Sequence, residues 1–190
     1  MPSHTRLPRL RIAALVLALL SAVASATVIV HETLDEMARR VPLIVRGRVA
    51  RSVAGWDAER NRIWTWTELT VSDAIKGKSA PIVLVKQPGG EVDGIGQAVA
   101  GTATFREGDD CLLFLMAAPD EPGAYMVYGL SAGKVLMTKW KGLPAAVRNT
   151  EGLAFARPAG GAVVEQVAGP EFLGGPDEFV SRIRAAGGAR

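Results

Sequence analysis

Two tryptophans two residues apart are the side chains of this sequence best suited to binding. Trp64 and Trp66 lie in the segment Ile63 to Val71, whose β-branched and aromatic residues predict a strand. Residues two apart on a strand share a face, so the two rings should lie side by side. If that face points outward, the pair predicts an anchor for a protein partner or a sugar. If it points inward, the rings belong to the core, where large aromatic side chains are more often found.

Closely spaced acids are the second group that could do chemistry. Glu91 and Asp93 lie in the glycine-rich segment Gly89 to Gly101, and Asp109 is followed by Asp110. Paired carboxylates serve in acid/base catalysis and in calcium sites, but neither pair has the spaced oxygen ligands of a calcium loop, and turns favour acids anyway. We expect Glu91 and Asp93 to assist partner binding. The alternative is a carboxylate-dependent hydrolase centred on Glu91, Asp93 or Asp109.

Histidine, cysteine and glycine motifs give little basis for catalysis. The chain has two histidines, His4 and His31, which are too few ligands for a zinc site. It has no G-x-S-x-G motif to supply the serine of a Ser-His-Asp triad. Cys111 lies in an apolar run typical of a buried strand, where a thiol acts as a small hydrophobic group. Gly94 and Gly96 lack the third glycine and the Lys-Ser/Thr pair of nucleotide loops. The sequence predicts no catalytic residue, no metal ligand and no cofactor.

The N-terminal 26 residues have the layout of a secretory signal peptide. Three arginines precede the apolar run Ile12 to Leu20, and Ala24-Ser25-Ala26 resembles a cleavage site. The apolar run is shorter than the roughly 20 residues of a membrane-spanning helix, so we expect cleavage and no stable membrane insertion. The sequence thus predicts a protein exported to the periplasm or outside the cell.

Removal of this segment also changes the charge balance. The whole chain has 22 Lys+Arg and 19 Asp+Glu, and the three arginines of the signal leave 19 of each. The basic character therefore belongs to the precursor, and it gives no reason to expect nucleic acid as a partner.

The elements that must position these residues are mostly strands. Thr33-Leu34-Asp35-Glu36 is a capping box that begins a short helix, and Pro176 begins a last one. Between them, strands are predicted at 43–50, with Gly47 as a bend or bulge, and at 63–71, 82–85, 111–116, 125–129 and 134–138. The unbroken apolar run of 111–116 predicts a central strand covered on both faces.

Short strands at regular intervals predict a mainly β fold. We expect an OB-like antiparallel barrel of about five to seven strands with two short flanking helices, and a small β-sandwich is the alternative. The barrel domain should occupy residues 27–142. Residues 143–190, in which glycine and proline recur, should form a loop-rich C-terminal extension ending in a short helix.

The order of these pieces resembles a known group of folds. Three parts of the chain, in this order, are similar to netrin-type modules and tissue inhibitors of metalloproteinases, and to a group of exported bacterial proteins. They are the helix followed by Pro42 to Val49, the strand ending at Val71 to Gly77, and the segment Phe105 to Asp110 before the apolar run Cys111 to Leu115. The resemblance implies an OB-like barrel. The N-terminal cysteine and the disulfides through which those inhibitors act have no counterpart here, because Cys111 is the only cysteine.

Taken together, these features predict an exported, non-catalytic binding module that recognises a protein partner, such as a secreted protease or an envelope component. The hydrolase named above is one alternative. A structural envelope protein without a discrete ligand is another, and it predicts that neither Trp64 nor Trp66 is accessible to solvent.

Overall fold

The computed structural model of the protein describes residues 27–156, 165–166 and 169–188, and the predicted signal peptide at 1–26 lies outside this part of the chain. Thirteen strands, two helices and one short 3-10 helix occur in these ranges. They are β1 (Thr27–Val30), α1 (Leu34–Arg40), β2 (Leu43–Trp56), β3 (Ile63–Lys76), β4 (Ile82–Pro88), β5 (Gly90–Val92), β6 (Ile95–Gln97), β7 (Asp110–Ala117), β8 (Ala124–Val127), the 3-10 helix (Leu130–Gly133), β9 (Lys134–Trp140), β10 (Leu143–Asn149), β11 (Leu153–Ala156), β12 (Glu165–Gln166), β13 (Pro170–Phe172) and α2 (Pro176–Gly188).

Five of these strands form a closed ring. β2 pairs with β3 and β7, β3 pairs with β4, and β8 joins β4 to β7. The order around the ring is therefore β7-β2-β3-β4-β8, with the β4–β8 pairing parallel and the other four antiparallel. This is the strand order of an OB-like barrel, and the predicted fold class is confirmed.

The two longest strands of the ring bend sharply to close it. The β2–β3 pairing shifts register at three places, one of them between Arg46 and Gly47. A Cβ atom at Gly47 would clash with the carbonyl oxygen of Thr70, so only glycine allows the two backbones to approach this closely. The bulge predicted at Gly47 is confirmed.

Three further strands extend the sheet beyond the ring, because β9 pairs with β7, β10 with β9, and β13 with β10. The prediction of a loop-rich segment was wrong for residues 143–149 and 153–156, which form β10 and β11. β10 follows β9 through a two-residue turn at Lys141 and Gly142, both with positive φ, as in a type I′ hairpin. Lysine is an unusual first residue for that turn, and Pro144 inside β10 argues against a strand in sequence.

Two hydrophobic cores lie on opposite sides of β2 and β7. Val45, Leu113 and Leu115 point into the barrel, whereas Ile44 and Phe114 point outward and are covered by the helices. All five side chains are fully buried. The prediction that residues 111–116 form a central strand with both faces covered is thereby confirmed for 111–115.

The helices cover the outer core. The predicted capping box is present at α1, since the Thr33 hydroxyl accepts from the backbone N–H of Glu36 and the Glu36 carboxylate accepts from the backbone N–H of Thr33. Phe179 and Ile183 of α2 are buried in the same core. Within the described ranges, neither helix combines the length and apolarity that a membrane span requires.

Candidate functional site

The alternation of β3 places its two tryptophans on the outside of the barrel. Ile63, Thr67 and Leu69 point inward and are fully buried, whereas Trp64 and Trp66 occupy the alternate positions and are half-buried. The two rings share a face, as predicted from their spacing. They are neither core residues nor fully exposed, so each indole presents part of its surface to solvent.

The neighbouring strands complete this surface. In the register of the sheet, Trp66 lies between Val53 of β2 and Lys86 of β4, and Trp64 lies between Gly55 and Pro88. Val53 is 55% exposed. We call the outer surface formed by Val53, Trp64, Trp66 and Lys86 the aromatic face.

Gly55 allows the Trp66 ring to lie across β2. A Cβ atom at this position would be 3.3 Å from the Trp66 Cζ3 atom, closer than side chains ordinarily pack. The absence of a side chain at Gly55 therefore lets the indole rest against the β2 backbone.

Lys86 is the buried centre of the aromatic face. Its side chain is only 8% exposed, and its Nζ atom lies 4.4 Å from the centroid of the Trp64 ring and 5.7 Å from that of Trp66. An ammonium group at these distances is attracted by the negative face of an indole. The same Nζ forms ion pairs with Asp120 Oδ2 at 2.8 Å and Glu121 Oε2 at 3.2 Å.

Hydrogen bonds keep this lysine charged. Burial opposes its charge, but the hydrogen bonds from Lys86 to Asp120 and Glu121 outweigh that effect and raise the pKa of Lys86. The hydrogen bond from Lys86 also lowers the pKa of Asp120. The group is therefore an ammonium with paired carboxylates, unsuited to act as a neutral amine base.

The loop 118–123, between β7 and β8, is tied to the aromatic face by these acids; we call it the acidic loop. Besides the ion pairs with Lys86, Trp66 Nε1 donates to the Glu121 carboxylate at 2.9 and 3.1 Å. Trp66 and Lys86 lie on different strands, so the acidic loop bridges β3 and β4. Its position and the orientation of the Trp66 ring are fixed together.

The loop 57–62, between β2 and β3, borders the opposite side. It is a tight turn in which Asp57 Oδ1 accepts from the backbone N–H of Asn61 at 2.7 Å and the Asp57 N–H donates to the carbonyl of Arg62 at 2.8 Å. Together the aromatic face and the two loops enclose an open groove of about 640 Å³. Its floor is aromatic, with Trp56 added at the end of β2, and its rim is charged.

The acids predicted to assist binding lie elsewhere. Glu91 and Asp93 belong to the small β5–β6 hairpin, a separate two-stranded sheet, and both are exposed. Asp93 has a φ of +53° at the turn of this hairpin. Neither residue lines the groove. The structure thus brings Trp64 and Trp66 together and does not bring the two acids to them.

Lys86, Asp120 and Glu121 are the site residues that sequence reasoning missed. They lie 20 to 57 positions from the two tryptophans and have no characteristic spacing to them. Their meeting depends on ring closure, because β8 must pair with both β4 and β7 before the acidic loop can reach β4.

The residues weighed for catalysis are used in structural contacts. Asp109 pairs with Lys134 at 3.1 Å, and Asp110 accepts two hydrogen bonds from Arg46 at 2.8 and 3.1 Å. Cys111 is fully buried, and burial raises its pKa to about 12. His31 is exposed, with its ring edge against Phe155. Among the described residues, His, Cys, Asp and Glu side chains form no group of three suited to a metal ion.

The chain matches no protein-family model and no curated protein. The geometry of the aromatic face is therefore the basis for its function.

Proposed function

We propose that the protein is an exported, non-catalytic binding module that holds a protein partner on its aromatic face. The observation that carries this proposal is the pair of partly exposed tryptophan rings, Trp64 and Trp66, held in place around the buried ammonium of Lys86. Export follows from the predicted signal peptide at 1–26.

The composition of this surface supports a protein partner. Binding energy at protein interfaces is concentrated in tryptophan, tyrosine and arginine at the centre of the patch, surrounded by a polar rim. Here Trp64 and Trp66 form the apolar centre of the groove, the exposed Val53 lies beside Trp66 in the sheet, and Asp57 and Asp120 lie on the rim. A structural protein without a ligand would leave neither tryptophan accessible.

The rigidity of the surface also favours binding. The indole N–H of Trp66 is hydrogen-bonded, and Lys86 packs against both rings. Side chains that are already fixed lose little conformational freedom when a partner docks, so more of the contact energy contributes to affinity.

Other ligand classes fit less well. Nucleic acid requires positive potential, but three acids, Asp57, Glu59 and Asp120, line the groove against two bases, Arg62 and Lys86, and the charge of Lys86 is paired. The polar groups that touch the two rings, Trp66 Nε1 and Lys86 Nζ, are already bonded to the acidic loop, so a sugar stacked there would have to bond to Glu59, Asn61 or Arg62 on the rim instead.

The position of the surface agrees with the fold by analogy. OB folds bind ligands on the outer face of their second and third strands, between the loops that follow the first and fourth strands. Here these are β3, β4, the loop 57–62 and the acidic loop. The resemblance to netrin-type modules and metalloproteinase inhibitors makes a secreted protease or an envelope component a reasonable partner, although the inhibitory cysteine of those proteins has no counterpart.

The experiment is capture of the partner with matched tryptophan variants. The tagged protein, expressed with its own signal, is used to recover interacting proteins from the envelope fraction of its host, and a recovered protein is then purified and titrated. We expect Trp64→Ala and Trp66→Ala to weaken binding by at least about tenfold. Trp140→Ala is the control, because Trp140 is also half-buried but lies on β9, away from the aromatic face.

The proposal fails if no recovered protein binds in the purified system, or if the Trp64→Ala and Trp66→Ala variants bind as tightly as the Trp140→Ala control. Circular dichroism of each variant distinguishes a lost contact from a lost fold.

A further inference from the structure

The charges around the groove of the aromatic face do not balance. The groove is lined by three acids and two bases, which are Asp57, Glu59, Asp120, Arg62 and Lys86. The ammonium of Lys86 is already shared between two carboxylates, those of Asp120 at 2.8 Å and Glu121 at 3.2 Å, so one negative charge is left over at that side. On the other side, Arg62 offsets only one of the two acids of the loop 57–62. The groove therefore has a surplus of negative charge.

The acids on both sides of the groove can accept further hydrogen bonds. Glu59 is exposed, and its carboxylate forms no hydrogen bond or ion pair within the described ranges. Asp57 accepts from the backbone N–H of Asn61 through Oδ1 alone, at 2.7 Å. Across the groove, the Asp120 side chain is still about half exposed after its bond to Lys86. Carboxylate oxygens that can reach a ligand thus flank the aromatic floor.

The aromatic floor itself attracts cations. The ammonium of Lys86 lies 4.4 Å from the centroid of the Trp64 ring and 5.7 Å from that of Trp66, so these rings already act as cation–π acceptors within the protein. Lys86 is buried, whereas both rings are half-buried, so part of each indole is still accessible to a cation from outside. Repulsion from Lys86 is offset by its two carboxylate partners.

We propose that the protein partner of the aromatic face places an arginine side chain in this groove, an inference that rests on the proposed function of that face. A guanidinium is planar, stacks on an indole and offers paired N–H donors that match a carboxylate. In the groove it would lie on a tryptophan ring and donate to the acids of the rim. A lysine ammonium is a more strongly hydrated point charge and loses more on stacking.

Other side chains of a partner fit this groove less well. An acidic segment would meet the surplus of like charge, which opposes association. A purely apolar segment would remove water from the rim carboxylates without replacing their hydrogen bonds, and this desolvation is unfavourable.

The test compares three peptides with blocked ends, Gly-Arg-Gly-Arg-Gly, Gly-Lys-Gly-Lys-Gly and Gly-Glu-Gly-Glu-Gly. Each is titrated into the purified exported protein, and binding is followed by NMR through the indole N–H signals of Trp64 and Trp66. We expect saturable shifts with the arginine peptide, at least about threefold weaker binding of the lysine peptide and no saturation with the glutamate peptide. Added NaCl should weaken binding of the arginine peptide, because the rim carboxylates are solvent-accessible.

Two matched charge reversals locate the arginine in the groove. Glu59 and Glu107 are both exposed acids, but Glu59 lines the groove and Glu107 lies outside it. Glu59→Arg should weaken binding of the arginine peptide at least about fivefold, whereas Glu107→Arg should leave it within about twofold of the wild-type value. Glu59→Gln, which only removes the charge, should give a smaller loss in the same direction.

Three results would overturn the proposal. They are the lack of a saturable shift with the arginine peptide up to about 10 mM, equal affinity for the arginine peptide and either of the other two, and equal affinity of the Glu59→Arg and Glu107→Arg variants. The proposed function is decided separately, because capture of a partner by the Trp64→Ala, Trp66→Ala and Trp140→Ala variants tests the aromatic face whatever the charge of the partner.

Discussion

Lys86 and Trp66 lie opposite each other across the β3–β4 pairing, and both bond to the same carboxylate, that of Glu121. This shared partner links two strands and the acidic loop at one point on the barrel surface. Because Glu121 is held by the Trp66 indole N–H and by the Lys86 ammonium, which is also paired with Asp120, the arrangement holds the Trp66 ring at a fixed angle. The aromatic face is therefore a surface already organised before any partner arrives.

Replacement of Lys86 should loosen this surface. Lys86→Met keeps the length of the side chain but removes the charge, both ion pairs and the attraction to the Trp64 ring. Because the Asp120 side chain is about half exposed (53%), water can replace part of its lost interaction with the ammonium. We expect the free energy of unfolding to fall by about 1–2 kcal/mol, measured by urea denaturation.

Lys139→Met is the control for this change. Lys139 is an exposed lysine on β9, outside the aromatic face, and its loss should change the free energy of unfolding by less than about 0.5 kcal/mol. Equal stability of the Lys86→Met variant and the wild-type protein would contradict the role given to the ammonium.

The pairing of Asp120 with Lys86 should also make stability depend on pH. The hydrogen bond from Lys86 lowers the pKa of Asp120 below its ordinary value of 3.8, so the folded state favours the ionised carboxylate. The resulting stabilisation is fully present above about pH 4 and is lost as the pH falls through the lowered pKa of the folded state. Asp120→Asn should therefore be less stable than the wild-type protein at about pH 7, and this difference should shrink when the pH is lowered to about 2.

Glu107→Gln serves as the reference for this comparison, because Glu107 is an exposed acid outside the groove. If the destabilisation of Asp120→Asn relative to this reference does not shrink at the lower pH, in urea denaturation at both pH values, the ion pair adds nothing to folding.

The local elements of the fold could be predicted because their causes are local. The capping box at Thr33 and Glu36 is a four-residue pattern, and the alternation of β3 is visible within nine residues. The central position of β7 follows from its unbroken apolar sequence. In each case the residues that form the sequence pattern are the same residues that determine the local structure.

The outward orientation of the tryptophans could not be predicted, because hydrophobicity alone favours placing both rings in the core. The interior side of this part of the barrel is occupied by small polar residues, with the Ser52 and Thr67 hydroxyls hydrogen-bonded to each other at 2.8 Å. These small groups satisfy one another in the narrow interior, and the larger indoles of Trp64 and Trp66 are left outside. In the sequence, the polar threonines of β3 predict a solvent-exposed face, whereas in the structure that face points into the barrel.

The long-range contacts of the aromatic face could not be predicted from the sequence either. Glu121 reaches Trp66 only through the pairing of β8 with β4 and β7. Such a contact depends on the folded arrangement and leaves no pattern in the sequence.

Cys111 provides a chemical test of the barrel interior. The side chain is fully buried in β7, where desolvation raises the pKa of its thiol to about 12, although the nearby Lys134 charge acts in the opposite direction. The thiolate is the reactive form, so almost none is present at about pH 8, and the sulfur is also shielded from reagents. We expect N-ethylmaleimide to modify the native protein only as fast as the protein unfolds, and the urea-denatured protein completely, as measured by mass spectrometry. Rapid labelling of the native protein would mean that β7 is accessible, which contradicts its position at the centre of the closed ring and with it the surface on which the aromatic face is built.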